Sequence, residues 1–210
     1  MVKMNYVPEL TDEQVKDNHK LFEERASIYK SKGLDSAESR EFILEKARPI
    51  RGRILEIGAG TGHMTLALAS EGYKFTAIDS DREALRTTAL NLAYKNVLSS
   101  VEFYVMDGTS LDFARGSFNN VVIVNVFHHV SDAGELLSEA DRVIGGRGKL
   151  ILADFNENGM LIVDSVHRHE GRVHETSGAG KEEVYSFLRS AGYEIKDYKD
   201  ECHWILIAEK

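Results

Sequence analysis

Cysteine and proline are both scarce in this chain of 210 residues, which has one cysteine and two prolines. Because Cys202 has no second cysteine to pair with, an internal disulfide is excluded, and the composition fits a reducing compartment. Nothing in the sequence approaches the ~20 consecutive apolar residues that cross a bilayer. The opening residues also lack the basic start and apolar run of a signal peptide. We therefore expect a cytoplasmic protein without a membrane partner.

Positive charge is in deficit as well. Lysine and arginine number 26 against 34 acidic residues, which gives a formal net charge of −8. A broad basic surface is the usual electrostatic footprint of nucleic-acid binding, so we predict no nucleic-acid partner. The length suits one domain with a sizeable core, and we find no internal repeat or second-domain linker.

A run of alternate glycines follows the first predicted strand. Ile54, Leu55 and Ile57 form a short apolar run of the kind that fills a buried parallel strand. Gly58, Gly60 and Gly62 come next, and good helix formers then resume. Glycines are needed where the backbone bends sharply or where a ligand must approach without a side chain in the way. The loop therefore lies where open α/β sheets hold their ligands, at the carboxyl end of a strand.

The residues around this loop exclude two common ligands. A phosphate-binding P-loop requires lysine and then serine or threonine after the last glycine, whereas His63 and Met64 follow Gly62. A dinucleotide fingerprint would place its third glycine at His63. Glu56 puts a carboxylate beside the loop, where it would repel a pyrophosphate but suit a cation.

Strands alternating with helices predict a doubly wound α/β sheet over the rest of the chain. The predicted strands are 54–57, 74–79, 101–106, 119–125 and 149–154, followed by a closing hairpin of 193–198 and 203–208. The predicted helices are 11–32, 36–47, 64–69, 81–95, 132–144, about 160–169 and 181–188.

Acidic and polar groups close successive strands in a fixed order: Glu56 before the glycines, Asp79, Asp107-Gly108, and Asn125 leading into His128-His129. This series, over residues 50–154, resembles class I S-adenosylmethionine-dependent methyltransferases, in particular the small-molecule branch that includes quinone-biosynthesis enzymes. The resemblance implies a Rossmann-like sheet of seven strands, mostly parallel, with the last strand antiparallel. It also implies S-adenosylmethionine as cofactor and methyl transfer from its sulfonium to a small-molecule acceptor. Gly145-Gly146-Arg147-Gly148 departs from the family's usual turn, but this changes a turn and not the cofactor loop.

The resemblance assigns roles to individual residues. Asp79 would accept hydrogen bonds from the ribose, or simply cap a helix together with Ser80 and Asp81. Asp107 and Gly108 would contact the adenine edge, or form only an Asp-Gly turn. Asn125 would lie at the methionine end, and His129 is the candidate catalytic base, with a structural role as the alternative. The predicted cofactor-binding set is Glu56, Gly58, Ala59, Gly60, Gly62, Asp79, Ser80, Asp107, Gly108 and Asn125.

Two segments lie outside the resemblance. Residues 1–49 are predicted as a helical extension before a methyltransferase domain of 50–210, and serve either as a packing layer or as a lid with Tyr29 on one wall. Residues 156–180 are predicted as an acceptor-side insertion loop rich in histidine and arginine. That loop would be a solvated surface, a metal site completed by Cys202 or His203, or part of the acceptor pocket. We favour an acceptor pocket for an anionic small molecule, without metal, formed by Tyr29, His128, His167, Arg168, His169, Arg172 and His174.

Two other functions remain open at this point. Aminopropyl transfer from a decarboxylated cofactor is possible on the same fold, although Asn125 to His128 lacks the acidic residues expected for polyamine binding. A non-catalytic cofactor-binding or regulatory subunit is the second alternative, because a fold does not determine an activity.

Overall fold

The computed structural model describes residues 5–6, 8–171, 176 and 178–210. Its centre is a seven-stranded sheet in the order β3-β2-β1-β4-β5-β7-β6, in which only the pairings of β7 with β5 and β6 are antiparallel. The predicted doubly wound sheet with an antiparallel last strand is therefore confirmed. The strands are β1 (Ile54–Ile57), β2 (Phe75–Asp79), β3 (Val101–Val105), β4 (Asn120–Val124), β5 (Lys149–Phe155), β6 (Glu194–Lys199) and β7 (His203–Glu209).

Five of the seven described α-helices begin at a polar side-chain cap, which satisfies amides that a helix N-terminus leaves unbonded. Thr11 forms a capping box with Gln14 at the start of the first helix, and Asp35, Asp81, Asp132 and Asn156 cap four others through their side chains. The helices are α1 (Asp12–Ser31), α2 (Ser36–Ala47), α3 (His63–Ser70), α4 (Arg82–Tyr94), α5 (Ala133–Ile144), α6 (Glu157–His169) and α7 (Lys181–Ser190).

The clearest difference from the sequence prediction concerns residues 156–180. Most of the described part of this segment is helical, since α6 runs over Glu157–His169, three residues earlier at its start than the predicted helix. Asn156 accounts for the early start, because its side chain accepts a hydrogen bond from the Gly159 amide at 3.0 Å. Gly159 is also closely packed: a Cβ there would lie 2.1 Å from the carbonyl oxygen of Cys202.

The core lies in two layers, one on each face of the sheet. All five residues of β4 are buried, as expected for a central parallel strand covered on both faces. Ile57 of β1 lies beside Ile123 of β4, and Val124 of β4 lies beside Ala153 of β5. Because these pairs are in register, the residues that follow the three strands meet at one edge of the sheet.

The first two helices precede the sheet and pack differently. Helix α2 buries Arg40, Ile43, Leu44 and Ala47, a stripe at the spacing of one helical face. Helix α1 buries none of its residues fully, and it contacts α4, α2 and α6. Within the described ranges no helix combines the length and the apolar character needed to cross a membrane.

Candidate active site

The glycine loop after β1 adopts backbone conformations that side chains disfavour. Gly58, Gly60 and Gly62 all have positive φ, at 79°, 54° and 92°. The loop is held against β2, because the amides of Gly58 and Ala59 both donate to the Ile78 carbonyl, at 2.9 and 3.1 Å. A Cβ on Gly58 would lie 2.3 Å from the Val126 side chain, whereas a Cβ on Gly60 would meet no described atom within 4 Å. Gly60 therefore borders open space.

That open space belongs to a cavity of about 340 Å³. The glycine loop and the ends of β1, β4 and β5 form its floor, while α1, α2 and α6 enclose it from the other side. Predicted site residues on its lining are Tyr29, Glu56, Gly58, Ala59, Gly60, Asn125, His128, His129 and His167. The structure thus brings the N-terminal extension and α6 to the same cavity as the glycine loop.

Two buried oxygen atoms on the lining suit a cation. Glu56 is 2% exposed, and its Oε2 has no hydrogen-bond partner among the described residues. Burial and the neighbouring charge of Asp79 raise the pKa of Glu56 to about 8. The Oδ1 of Asn125 is likewise without a partner in the described part of the chain, on a residue with the unusual φ of 58°. A ligand with an ammonium or sulfonium group would satisfy both oxygens, so the residues fit S-adenosylmethionine.

The residues predicted to bind the ribose and the adenine, Asp79, Asp107 and Gly108, are not on the lining of this cavity. Asp79 accepts from the Gly60 amide at 2.8 Å and from the Asp81 amide at 2.9 Å, so it links β2 to the glycine loop and also serves the turn before α4. Ser80 beside it is exposed. These contacts give Asp79 a structural role, and its ribose role stays a prediction.

Asp107 and Gly108 form a tight turn. Both the amide and the hydroxyl of Thr109 donate to Asp107, at 2.9 and 2.8 Å. A Cβ on Gly108 would lie 2.7 Å from the Ile57 side chain, so packing alone requires glycine there. These contacts are those of an Asp-Gly turn, and the predicted contact of Asp107 and Gly108 with the adenine stays a prediction.

The histidine pair after β4 differs from what the sequence indicates. His128 is paired with a carboxylate: its Nδ1 lies 2.6 Å from Asp154 Oδ1, and its amide donates to Asp154 Oδ2 at 3.1 Å. His128 is buried and His129 is exposed, although both line the cavity. An ionised Asp154 requires the proton on Nδ1 of a neutral His128, which leaves the lone pair on Nε2. This pairing orients the His128 ring, and the catalytic role predicted for His129 stays a prediction.

Asp154 was not predicted from the sequence. It ends the predicted strand 149–154, adjacent in the sheet to the strand that leads into the histidines, and this position was the available signal. Its Oδ1 also accepts from the Phe155 amide at 2.7 Å, which fixes the carboxylate. A histidine oriented by a fixed carboxylate is the usual arrangement of a catalytic base.

Arg25 of α1 connects the two helices over the cavity. It forms an ion pair with Glu170 at 3.2 Å, and its Nη2 lies 3.3 Å from His167 Nε2 and 3.5 Å from the Tyr29 hydroxyl. Because arginine can only donate, His167 Nε2 is the acceptor. These contacts place the predicted substrate residues Tyr29 and His167 together.

The remaining predicted substrate residues are not on the described lining. Arg168 donates from Nε to the Asp164 carbonyl at 3.2 Å, and both it and His169 are exposed on α6. Arg172 and His174 lie outside the described residues. The metal alternative also lacks support in the described ranges, where no group of three or more histidine, cysteine, aspartate or glutamate side chains could hold an ion. Cys202 is buried, and His203 is bonded to Asp200.

Arg40 is a second residue that the sequence prediction missed. Only 5% exposed, it lines the cavity, and its Nη1 lies 3.3 Å from Nε2 of His203, which Asp200 holds through Nδ1 at 3.1 Å. Burial lowers the pKa of Arg40 to about 10, so it remains charged at neutral pH. The available signal was its spacing of three, four and seven residues from Ile43, Leu44 and Ala47, which puts it on the buried face of α2.

Comparison with known proteins agrees with this geometry. Residues 55–152 match the family model described as a methyltransferase domain. The matched segment is a methyltransferase domain that uses S-adenosylmethionine. It includes the glycine loop, Asp79, Asp107, Asn125 and both adjacent histidines, but it leaves out α1, α2 and α6.

Individual relatives are distant. An uncharacterized methyltransferase of Bacillus subtilis is 24% identical over 191 residues, which cover 90% of this chain and 75% of the relative. A ubiquinone biosynthesis O-methyltransferase of Xanthomonas axonopodis is 24% identical over 165 residues, which cover 75% of this chain and 69% of the relative. The structure of a Haemonchus contortus phosphoethanolamine N-methyltransferase in complex with S-adenosyl-L-methionine has a TM-score of 0.64 at 17% identity, covering 95% of this chain and 57% of that one. That last likeness is one of fold.

Proposed function

We propose that the chain methylates a small-molecule acceptor at an ionisable hydroxyl or an acidic carbon, with His128 as the base. S-adenosylmethionine supplies an electrophilic methyl group on a sulfonium. The observation that carries the proposal is the shared cavity, whose lining includes the glycine loop, Glu56, Asn125 and His128, the last of which is held by Asp154. The relatives named as quinone-biosynthesis enzymes support an acceptor of this chemical kind.

His128 would remove the acceptor's proton through Nε2. Asp154 lies 2.6 Å from Nδ1 and would hold the ring so that Nε2 faces the acceptor. His129 is the base that the sequence indicates; in the structure its ring lies beside that of His128, with the ring centres 4.0 Å apart. It would therefore line the acceptor's path rather than take the proton.

The acceptor would lie between α1 and α6. Tyr29 and His167 line this part of the cavity, and Arg25 adds a positive charge that suits the anion of a phenol or enol. We infer that the anionic preference expected from Arg168 and Arg172 depends instead on Arg25. The N-terminal helices would exclude water from the reaction, which is the role of a lid.

Methyl transfer to a panel of catechols and hydroxylated quinones tests this function, with the fully O-methylated analogues as acceptors that have no proton to lose. Product carrying one added methyl group is expected from members of the panel and not from the methylated analogues. A protein that binds S-adenosylmethionine but methylates no member would contradict the proposed acceptor class.

A matched pair of variants then identifies the base. His128→Gln should lower kcat by about 10²- to 10⁴-fold, the contribution of a general base. Binding of S-adenosylhomocysteine should persist, because the His128 amide that contacts Asp154 is retained. The matched variant His129→Gln should lower kcat less than His128→Gln does. A larger loss of kcat in His129→Gln, together with a shifted pH profile, would instead identify His129 as the base.

A further inference from the structure

Helix α4 holds the glycine loop from behind the cavity. Thr88 and Asn91 are three residues apart, which places them on one face of α4, and both are buried. The Thr88 hydroxyl donates to the Gly60 carbonyl at 2.7 Å, and the Asn91 side-chain amide donates to the Thr61 carbonyl at 2.8 Å. Neither Thr88 nor Asn91 is on the lining of the cavity. Both side chains therefore set the direction of carbonyl groups in the loop from outside the ligand space.

The second end of the Asn91 amide reaches α1. Its Oδ1 accepts a hydrogen bond from Nδ2 of Asn18 at 2.7 Å. Because the Thr61 carbonyl can only accept, Nδ2 of Asn91 must face the loop and Oδ1 must face Asn18, which fixes the orientation of both amides. Asn18 lines the cavity from the α1 side. One buried amide on α4 thus joins the loop on the floor of the cavity to the helix that encloses it.

Helix α1 is attached to the rest of the molecule without burying any residue of its own fully. The ring of His19 stacks on Tyr94 of α4, with ring centres 3.4 Å apart, and Arg25 forms an ion pair with Glu170 at 3.2 Å. A helix with little buried apolar surface separates from its neighbours at a low cost in free energy. The closed position of α1 is therefore sensitive to single hydrogen bonds such as the one between Asn18 and Asn91.

We propose that Asn91 is a positioning residue that couples the glycine loop to α1, so that a ligand bound against the loop holds α1 closed over it. A ligand that restrains the Thr61 carbonyl also restrains the Asn91 amide, which then offers a fixed acceptor to Asn18. The coupling is reciprocal, because a closed α1 raises the affinity of the loop for the ligand by the same factor. The inference rests on S-adenosylmethionine as the ligand of the loop, and it assigns the lid role of the N-terminal helices to a named contact.

Hydrogen exchange with and without S-adenosylhomocysteine measures the coupling without any turnover. In the wild-type protein, saturating ligand should slow the exchange of α1 amides about 2- to 10-fold, the range that one neutral hydrogen bond supplies. Peptides of α7, which does not line the cavity, serve as the internal reference and should not change. Ligand that binds but leaves exchange in α1 unchanged would overturn the proposal, while the cofactor site would stand.

Two variants break the path at different points. Asn91→Leu keeps the approximate size of the side chain and removes both hydrogen bonds. The ratio of α1 exchange rates without and with ligand should then fall to about one, and affinity for S-adenosylhomocysteine should fall about 4- to 100-fold, the product for two bonds. Asn18→Ala removes only the bond to α1. The exchange ratio should again fall to about one, but affinity should fall only about 2- to 10-fold.

His19→Ala is the matched control, because its stack joins α1 to α4 at Tyr94, away from the residues that hold the loop. In this variant α1 should exchange faster both with and without ligand, and the ratio of the two rates should remain that of the wild type. The double variant of Asn18→Ala and Asn91→Leu should bind the ligand no more weakly than Asn91→Leu alone, because both changes break one path.

The exchange ratio separates the possible failures. A merely structural role of Asn91 would speed exchange throughout the sheet in Asn91→Leu and leave the ratio at its wild-type value, which would overturn the proposal. Losses of affinity that multiply in the double variant would show that Asn18 contacts the ligand directly, and they would also overturn it. If Asn91→Leu does not fold, the ratios of the wild type and of Asn18→Ala decide. Failure of the wild type to bind S-adenosylhomocysteine would reject the cofactor together with the coupling.

Discussion

Cofactor binding should release a proton from Glu56. This carboxyl is buried and has a pKa raised to about 8, so at pH 7 about 90% of free protein molecules hold it neutral. An ammonium group placed against Oε2 favours the carboxylate and would return the pKa toward its ordinary value of 4.5. Binding of S-adenosylhomocysteine at pH 7 should therefore release about 0.9 proton.

The sign of the pH dependence follows from the same shift. The pKa of Glu56 is about 8 in the free protein and should be near 4.5 in the complex. At a pH between these two values the free protein holds one more proton than the complex. Affinity for S-adenosylhomocysteine should therefore rise with pH and level off above about 8. The slope should approach a tenfold gain per pH unit, or up to roughly a thousandfold between pH 5 and 8. His63 also lines the cavity, but burial lowers its pKa to about 3, so it is neutral throughout and contributes no proton.

Titration calorimetry in buffers of different ionisation enthalpy measures the released proton directly. At pH 7 the observed enthalpy should vary with the buffer's ionisation enthalpy with a slope near 0.9 in the wild type, from the pKa argument above. Glu56→Gln is the control, since it keeps the shape of the side chain and removes the titrating group. A slope near zero in the wild type, or the same slope in both proteins, would refute the reasoning about Glu56.

Three further predictions concern the loop and the histidines. Asp79→Ala should weaken S-adenosylhomocysteine binding by about 1–3 kcal/mol in calorimetry, because the Gly60 amide loses its acceptor and the ribose its predicted one; unchanged affinity would reject the ribose assignment. Gly58→Ala should lower the melting temperature more than Gly72→Ala, because both have φ near 80° but only at Gly58 would a Cβ lie 2.3 Å from Val126; equal melting shifts would show that Val126 adapts. Changing His167, His169 and His174 together should leave no difference in metal content by elemental analysis, whereas stoichiometric zinc lost in the variant would establish a metal site.

The sheet could be predicted because its signals are local. Apolar runs bounded by turn residues define each strand, and the antiparallel last strand follows from the methyltransferase resemblance, so no prediction required a long-range contact to be known. Helix ends were also accessible where a capping side chain was present, as at Asp132 and Asp35. The start of α6 was misplaced because its cap, Asn156, directly follows the strand and resembled the start of a loop.

Only the site residues that lie within one short sequence motif could be predicted. Gly58, Gly60 and Glu56 lie within seven residues, and the structure brings them to one cavity with Asn125. The His128–Asp154 pair joins residues 26 positions apart, and no periodicity in either segment indicates which of two adjacent histidines turns toward the neighbouring strand. Which of the two rings meets Asp154 could therefore be decided only from the packing of β4 against β5, and the catalytic role of His129 stays a prediction.

Burial of charge explains why the N-terminal helices matter to the site. The matched segment supplies a buried carboxyl group at Glu56, and burial raises its pKa to about 8. The charge of Arg40 acts in the opposite direction and lowers the pKa of Glu56. Arg40 comes from α2, which the family match excludes, so a sheet without α2 would hold Glu56 neutral up to a still higher pH. The first helices are thus part of the electrostatic balance of the cofactor pocket, and we expect a chain truncated before residue 50 to lose cofactor binding together with stability.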